Sequence, residues 1–141
     1  MAGTLIIGYD GSACAVAAFD EAIEIAKATG DRLVIGFGYE PPGYGEEMEP
    51  YREAVRRHGE AVTADAIEKA AKAGIEAELA LVPESPSDAL RSLAERFDAR
   101  AIIVGSYGES PLRSAILGST PHKLLHDARR PVLVVPYRGD S

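Results

Sequence analysis

The feature that most constrains the fold is a regular alternation between short apolar runs and segments with helical periodicity. The apolar runs are LII at 5–7, RLVIGFG at 32–38, IEAELALV at 75–82, AIIV at 101–104 and VLVV at 132–135. Strands that alternate with helices are joined by crossovers, which produce a parallel sheet with helices on both faces. We therefore predict a doubly wound α/β fold with five strands. The length of 141 residues fits a single domain spanning 1–141.

The third apolar run differs from the others because charged residues interrupt it. Glu76 and Glu78 alternate with apolar residues, which indicates a strand with one wetter face at the edge of the sheet. This placement predicts the strand order 3-2-1-4-5 and puts VLVV at the other edge. An uncharged apolar edge pairs readily with another strand. We therefore predict a homodimer that pairs through the last strand, residues Val132, Leu133, Val134 and Val135.

Charge and composition exclude several classes of function. The 22 acidic residues exceed the 15 basic ones and leave a net charge of −7, which argues against broad nucleic-acid binding. No apolar stretch approaches the roughly 20 residues that span a bilayer, and the N-terminus lacks a signal-peptide layout. Cys14 is the single cysteine and has no intramolecular disulfide partner, as in a reducing compartment. We expect a cytoplasmic protein that binds neither nucleic acid nor membrane.

A glycine- and serine-rich segment, GSYGESPLRSAILGST at 105–120, directly follows the fourth apolar run. In the predicted strand order, strands 1 and 4 flank the switch point where ligands bind, so this segment should meet GYDGSA, which follows strand 1. A helix that begins near Ser119 and Thr120, with Pro121 in its first turn, presents free amides and a positive dipole end to phosphate. These residues also suit a tight turn and an ordinary helix cap. P-loop and dinucleotide-binding motifs are absent from the sequence.

The chain resembles the universal stress protein family at this segment. ATP-binding members carry Gly, two residues, Gly, nine residues, and then Gly followed by Ser or Thr. Here that pattern is Gly105, Gly108, Gly118 and Ser119. The segments IIGYDGS, LVIGFGYEPP and HDARRPVLVVP extend the resemblance across nearly the whole chain.

The resemblance implies that the chain binds ATP, with Mg²⁺ screening the phosphates. Asp10 would contact ribose or adenine, Phe37 would line the adenine pocket, and Val104 and Gly105 would lie along the nucleotide. The phosphates would be held by Gly108, Gly118, Ser119 and Thr120. The resemblance also implies a dimer through the last strand.

Four positions depart from the family pattern, and one of them is Glu84, which replaces a frequent glycine after the third strand. Tyr107 stands where a basic residue is common, so one phosphate contact is either lost or replaced by ring stacking. Phe37 is bulkier than the usual small aliphatic residue, so it either stacks on adenine or obstructs it. Arg100 stands where an aspartate commonly precedes the fourth strand.

No catalytic residue can be named, so we predict a stress-response regulator in which ATP is mainly a bound effector, with hydrolysis slow or absent. The regulator would act on a protein partner that the sequence does not identify. The alternatives are a nucleotide-free dimeric scaffold and an enzyme that uses adenylate chemistry. His122 and His126 share a helix face but lack an evident third ligand, so no metal site is predicted. Cys14 is predicted to be a small buried side chain rather than a redox centre.

Overall fold

The structure is a computed structural model that describes residues 2–40, 48–106 and 117–136. Five strands alternate with four helices in these residues. Along the chain they are β1 (Thr4–Gly8), α1 (Ala13–Thr29), β2 (Arg32–Gly38), α2 (Met48–Lys72), β3 (Ala77–Val82), α3 (Pro86–Arg96), β4 (Ala101–Gly105), α4 (Ser119–Asp127) and β5 (Val132–Val135).

The strands form one sheet in the order β3-β2-β1-β4-β5, and every neighbouring pair is parallel. The predicted fold class and strand order are both confirmed. In the centre of the sheet, Ile7 of β1 is in register with Ile35 of β2 and with Ile103 of β4. The central strands are covered on both faces, so beyond Thr4 and Arg32 at their amino ends they carry only apolar side chains and glycines.

The core consists of two apolar layers, one on each face of the sheet. Alternate strand residues such as Ile7 and Ile35 pack with buried residues of α1 and α2. The residues between them, such as Ile6 and Val34, pack with α3 and α4. Helix α3 lies so close to the sheet that a Cβ on Gly36 would come within 2.6 Å of Leu90. The period of two along each strand thus divides the apolar residues between the two layers.

The helix ends follow the signals in the sequence. Ser12 caps α1 by accepting a hydrogen bond from the amide of Ala15, and Ser85 caps α3 with Pro86 at the first helical position. Helix α1 ends at Gly30, whose φ of 80° lies in the left-handed region that glycine tolerates best.

Two element boundaries differ from the sequence prediction. The prolines and glycines of EPPGYGEEMEP at 40–50 predict a loop over this whole stretch, but helix α2 already begins at Met48. Pro50 falls in the first turn of this helix, where its missing N–H removes no helical hydrogen bond. Strand β3 begins at Ala77 rather than at Ile75.

The two edges of the sheet differ in charge. On β3, Glu78 is exposed and forms an ion pair with Arg32 at 3.4 Å. On β5, Leu133 is 38% exposed and carries no charge. Within the described ranges, no helix combines the length and the apolarity that crossing a bilayer requires.

Candidate functional site

The ends of β1 and β4 meet at the carboxyl edge of the sheet. The two strands are direct neighbours, with Ile7 paired to Ile103, and the chain leaves them in opposite directions, through α1 to β2 and through α4 to β5. This is the predicted switch point, where parallel sheets open a crevice for ligands.

Asp10 lies in the exposed turn between β1 and α1. Its Oδ1 accepts a hydrogen bond from the amide of Ser12 at 2.9 Å, and Gly11 adopts a φ of 82° to complete the turn. The turn holds the carboxylate at the edge of the sheet without burying it. A carboxylate in this position can accept hydrogen bonds from ligand hydroxyl or amino groups.

Gly105 ends β4 directly against the first turn of α1. A Cβ at this position would lie 2.8 Å from the carbonyl carbon and oxygen of Cys14, closer than real Cβ contacts come. The family resemblance implies that this glycine lies along the nucleotide. In the structure the lack of a side chain is already required by the packing of the protein on itself.

Ser106 connects three parts of the carboxyl edge, and sequence reasoning missed it. Its N–H donates to the carbonyl of Val135 at 3.0 Å, and its carbonyl accepts from the amide of Gly118 at 2.7 Å. The same N–H lies 3.2 Å from Sγ of Cys14, and the two side chains approach to 3.3 Å. The buried Cys14 thiol therefore links α1 to the end of β4, in agreement with the prediction of a small buried side chain.

Helix α4 begins beside Ser106 without a side-chain cap. Gly118 occupies the N-cap position, where α1 and α3 each have a capping serine. Ser119 and Thr120 follow as the first two helical residues, and their amides have no acceptor within the helix. The Gly118 amide differs from these two because it already donates to Ser106. The amides of Ser119 and Thr120, which are among those predicted to hold phosphate, therefore have no helical hydrogen bond to break before they bind a ligand.

Phe37 and Val104 lie on opposite faces of the sheet near its carboxyl edge. The half-buried Phe37 ring packs edge-to-face against His58 of α2, with centroids 5.9 Å apart. Val104 is 3% exposed and belongs to the core beneath α3 and α4, so only its main chain can face a ligand. Gly108 and Tyr107 lie outside the described residues.

Tyr9 adds a neutral group beside Asp10. Partial burial raises the pKa of Tyr9, while Lys69 lowers it and Asp65, Asp20 and Asp10 raise it further. The Tyr9 ring packs edge-to-face on Phe19 at 5.8 Å. In the described part of the chain, no three His, Cys, Asp or Glu residues are grouped as a metal site would need. The geometry of this edge suits binding through amides, hydroxyls and one carboxylate.

A cavity of about 770 Å³ lies at the opposite, amino edge of the sheet, between the C-terminal ends of α1 and α2. Its polar lining includes Asp31, whose Oδ1 accepts from the amide of Gly3 at 2.7 Å. The Arg100 guanidinium donates to both carboxylate oxygens of Asp31. Arg100 is the strongest cause that lowers the pKa of Asp31. Because the protein itself satisfies this carboxylate, we assign the amino edge a structural role.

Comparison with known proteins identifies the family of the chain. The sequence pattern of the universal stress protein family matches residues 1–136. A universal stress protein of Thermus aquaticus is 35% identical over 135 residues, covering 94% of this chain and 97% of that protein.

Solved structures agree with the sequence match. A universal stress protein crystallised in complex with cAMP is 31% identical, with a TM-score of 0.74 and coverage of 94% of this chain and 96% of that one. A universal stress protein family protein from Arabidopsis thaliana, solved with AMP bound, is 14% identical and has a TM-score of 0.72. The match covers 98% of this chain and 94% of the Arabidopsis chain. That second likeness concerns the fold alone. The chain described here belongs to the universal stress protein family.

Proposed function

We propose that this protein binds an adenine nucleotide at the carboxyl edge of the sheet and that ATP, with Mg²⁺, acts as the effector of a homodimer. The observation that carries the proposal is the hydrogen bond between the Gly118 amide and the Ser106 carbonyl, 2.7 Å long. This bond holds the uncapped start of α4 against the end of β4, at the switch point of the sheet.

The phosphates would bind at the start of α4. The amides of Ser119 and Thr120 point out of the first turn, and the helix dipole adds partial positive charge there. The two hydroxyls supply further hydrogen bonds. Since the protein carries a net charge of −7, Mg²⁺ on the phosphates would reduce the repulsion of the nucleotide by the chain.

The nucleoside would extend from α4 towards β1 and β2. Asp10 is placed to accept hydrogen bonds from ribose hydroxyls or from the adenine amino group. The half-exposed face of Phe37 offers an aromatic surface for the base. In this arrangement Phe37, which stands where the family usually has a small aliphatic residue, stacks on the base and does not obstruct it.

The relative solved with cAMP supports the proposal that the base is adenine. The number of phosphates on the nucleotide is the question to be tested. The solved relative at 31% identity was crystallised in complex with cAMP, which has one phosphate. A nucleotide with one phosphate is therefore the second candidate, and the cAMP complex at 31% identity favours it specifically. The spacing of Gly105, Gly108, Gly118 and Ser119, which the chain shares with ATP-binding members of the family, favours ATP.

Calorimetric titration of the protein with ATP–Mg²⁺, AMP, cAMP and GTP separates these candidates. We expect ATP–Mg²⁺ to bind most tightly and GTP to bind least. Tighter binding of cAMP or AMP than of ATP would identify that nucleotide as the ligand. No heat and no thermal stabilisation with any adenine nucleotide would leave the nucleotide-free scaffold as the function.

Substitution of Gly118 tests the position of the phosphates. Its φ of −62° and ψ of 163° suit any residue, and both Asp and Asn are good N-cap residues. Gly118→Asp should abolish ATP binding because it places a negative charge at the phosphate position, while the fold is retained. Gly118→Asn is the matched control without that charge and should retain much more of the affinity. Equal binding by the two variants would place the phosphates elsewhere.

Slow or absent hydrolysis belongs to the same proposal. The described residues near α4 offer hydroxyls and amides, and no general base is paired with them. Incubation with ATP–Mg²⁺ followed by chromatography should show ATP recovered intact over many binding lifetimes. Stoichiometric turnover to AMP or ADP would instead favour the enzyme with adenylate chemistry.

The homodimer would form through β5, at the edge of the sheet. Leu133 is exposed there, and the outer edge of β5 has no strand beside it among the described residues. Light scattering after gel filtration should give a dimeric mass for the wild type. Leu133→Lys should give a monomer, whereas Glu78→Lys on the opposite edge should remain dimeric. A monomeric wild type at micromolar concentration contradicts this part of the proposal.

Ser106 provides the physical connection between nucleotide and dimer. Its carbonyl binds the start of α4 and its N–H binds Val135 of the edge strand. A nucleotide that fixes the first turn of α4 would therefore also bias β5. By linkage, if dimerisation changes the ATP affinity of each of the two sites by a given factor, saturating ATP should change the dimer dissociation constant by the square of that factor. An unknown protein partner would then recognise the altered dimer.

A further inference from the structure

The solvent-facing side of α4 carries two histidines that the proposed function does not use. Leu124 and Pro121 face the core and are buried, whereas His122 and His126 lie on the other side and are exposed. The two histidines are four residues apart, so their side chains are neighbours across one helical turn. Both imidazoles are therefore accessible from the same side of the helix.

The distance between the rings matches that of two metal-bound imidazoles. The ring centroids are 5.0 Å apart and the ring planes are inclined by 74°. Two imidazoles that bind one tetrahedral zinc ion at Zn–N distances of about 2.0 to 2.1 Å hold their centroids roughly 5 Å apart. Little side-chain movement is thus required for both rings to reach one ion.

We propose that His122 and His126 form a site for a divalent transition metal ion such as Zn²⁺, Ni²⁺ or Cu²⁺. Imidazole is the preferred ligand of this class of ion, while Mg²⁺ and Ca²⁺ prefer oxygen. Among the described residues no third His, Cys, Asp or Glu joins the pair. Water completes the coordination sphere, and the site is open.

This site differs from the sequence analysis, which predicts no metal site because a third ligand is not evident. Sequence spacing gives the shared helix face but not the separation of the rings or their exposure. The structure supplies both. It also places the site on the short helix whose first turn is proposed to hold phosphate, so a metal that joins the two histidines would brace that helix across one turn.

Metal titration without any nucleotide tests the proposal, so its outcome is separate from that of the proposed function. Calorimetry with ZnCl₂ should give saturable binding with one ion per chain, and Zn²⁺ should raise the thermal unfolding midpoint. Since even residues behind the ligands change metal affinity by about 10- to 100-fold, His122→Ala and His126→Ala should each weaken Zn²⁺ binding at least about tenfold.

The third histidine of the chain, His58, supplies the matched control. It is exposed on α2 and packs against Phe37, so His58→Ala should bind Zn²⁺ like the wild type. Circular dichroism checks that each variant is folded, and His122→Gln with His126→Gln provides a second pair of variants of similar size. Equal weakening by His58→Ala would overturn the proposal. So would the absence of saturation by Zn²⁺ below about 1 mM, which would make the ring contact a simple aromatic pair.

Discussion

The amino and carboxyl edges of the sheet, where the strands begin and end, each carry an aspartate, and the two aspartates have different roles. At the amino edge, Asp31 is buried and accepts hydrogen bonds from Gly3 and Arg100. At the carboxyl edge, Asp10 is exposed and accepts one from Ser12. A carboxylate whose partners are supplied by the protein stabilises the fold. A carboxylate that keeps free acceptor capacity at a switch point is available to a ligand.

The helix ends repeat this contrast. At the amino edge, α1 and α2 are followed by Gly30 and Gly74, whose positive φ values suit the turn after a helix. At the carboxyl edge, α1 and α3 are capped by serine, but α4 begins at Gly118 without a side-chain cap. Of the three helix starts whose N-cap residue the structure describes, the uncapped one is that of α4, which follows the glycine-rich segment.

The largest expected effect is at the contact between β4 and α1. Gly105→Ala would force a methyl group to 2.8 Å from the Cys14 main chain, and overpacking of this kind costs about 1 to 3 kcal/mol. Chemical denaturation should show this loss in the free energy of unfolding. Gly118→Ala, at an unstrained φ and ψ, is the control and should change stability much less. Equal stability of the two variants would mean that the first turn of α1 yields to the new methyl group.

Removal of the exposed carboxylate should separate binding from stability. Asp10→Asn retains an oxygen that can accept from the Ser12 amide but loses the charge. We expect nearly unchanged stability and a loss of about tenfold in ATP affinity, which corresponds to about 1.4 kcal/mol. Titration calorimetry and thermal unfolding measure the two quantities. A loss of stability without a loss of affinity would make Asp10 a structural residue like Asp31.

The buried carboxylate should show the opposite behaviour, and pH reveals it. Because Arg100 lowers the pKa of Asp31 in the folded protein, the unfolded chain binds this proton more readily. The resulting stability is present above the ordinary aspartate value of about 3.9 and is lost as pH falls through the folded pKa. Asp31→Asn should flatten the decline in unfolding free energy below about pH 4. ATP affinity at neutral pH should be unchanged, and an altered affinity would contradict the structural assignment.

The smallest expected effect is a gain at the uncapped helix. Gly118→Asn adds a capping side chain to α4 and should raise the free energy of unfolding by a few tenths of a kcal/mol. Equilibrium denaturation measured in replicate can resolve the sign. A decrease in stability would show that the main-chain bond from residue 118 to Ser106 does not tolerate a side chain at this position.

The strand order, and with it the meeting of the ends of β1 and β4, could be predicted because it depends on periodic signals. The apolar runs, the alternation of Glu76 and Glu78 and the glycine spacing all lie within short stretches of sequence. Two tertiary connections could not be predicted. Cys14 and Ser106 are 92 residues apart, and Asp31 and Arg100 are 69 apart, so no local pattern links either pair. Arg100 departs from the family pattern, and its contact with Asp31 gives that departure a structural reason.

The Met48 start of α2 was missed for another reason. Proline is a helix breaker in most positions, and Pro50 therefore indicated loop. The first turn is the exception, and only the position of the helix start in the structure reveals it. Val104 also shows that sequence position alone does not reveal local geometry. The family resemblance places it along the nucleotide, but its side chain is buried in the core.

The uncapped start of α4 has a consequence for the survival of the protein in the cell. At nine residues, α4 is shorter than helices that persist in isolation, so its local opening is among the easier ones in the molecule. A phosphate bound to its first amides would close that weak point and hide the chain from proteases. The level of available nucleotide would then govern how long each copy lasts before degradation.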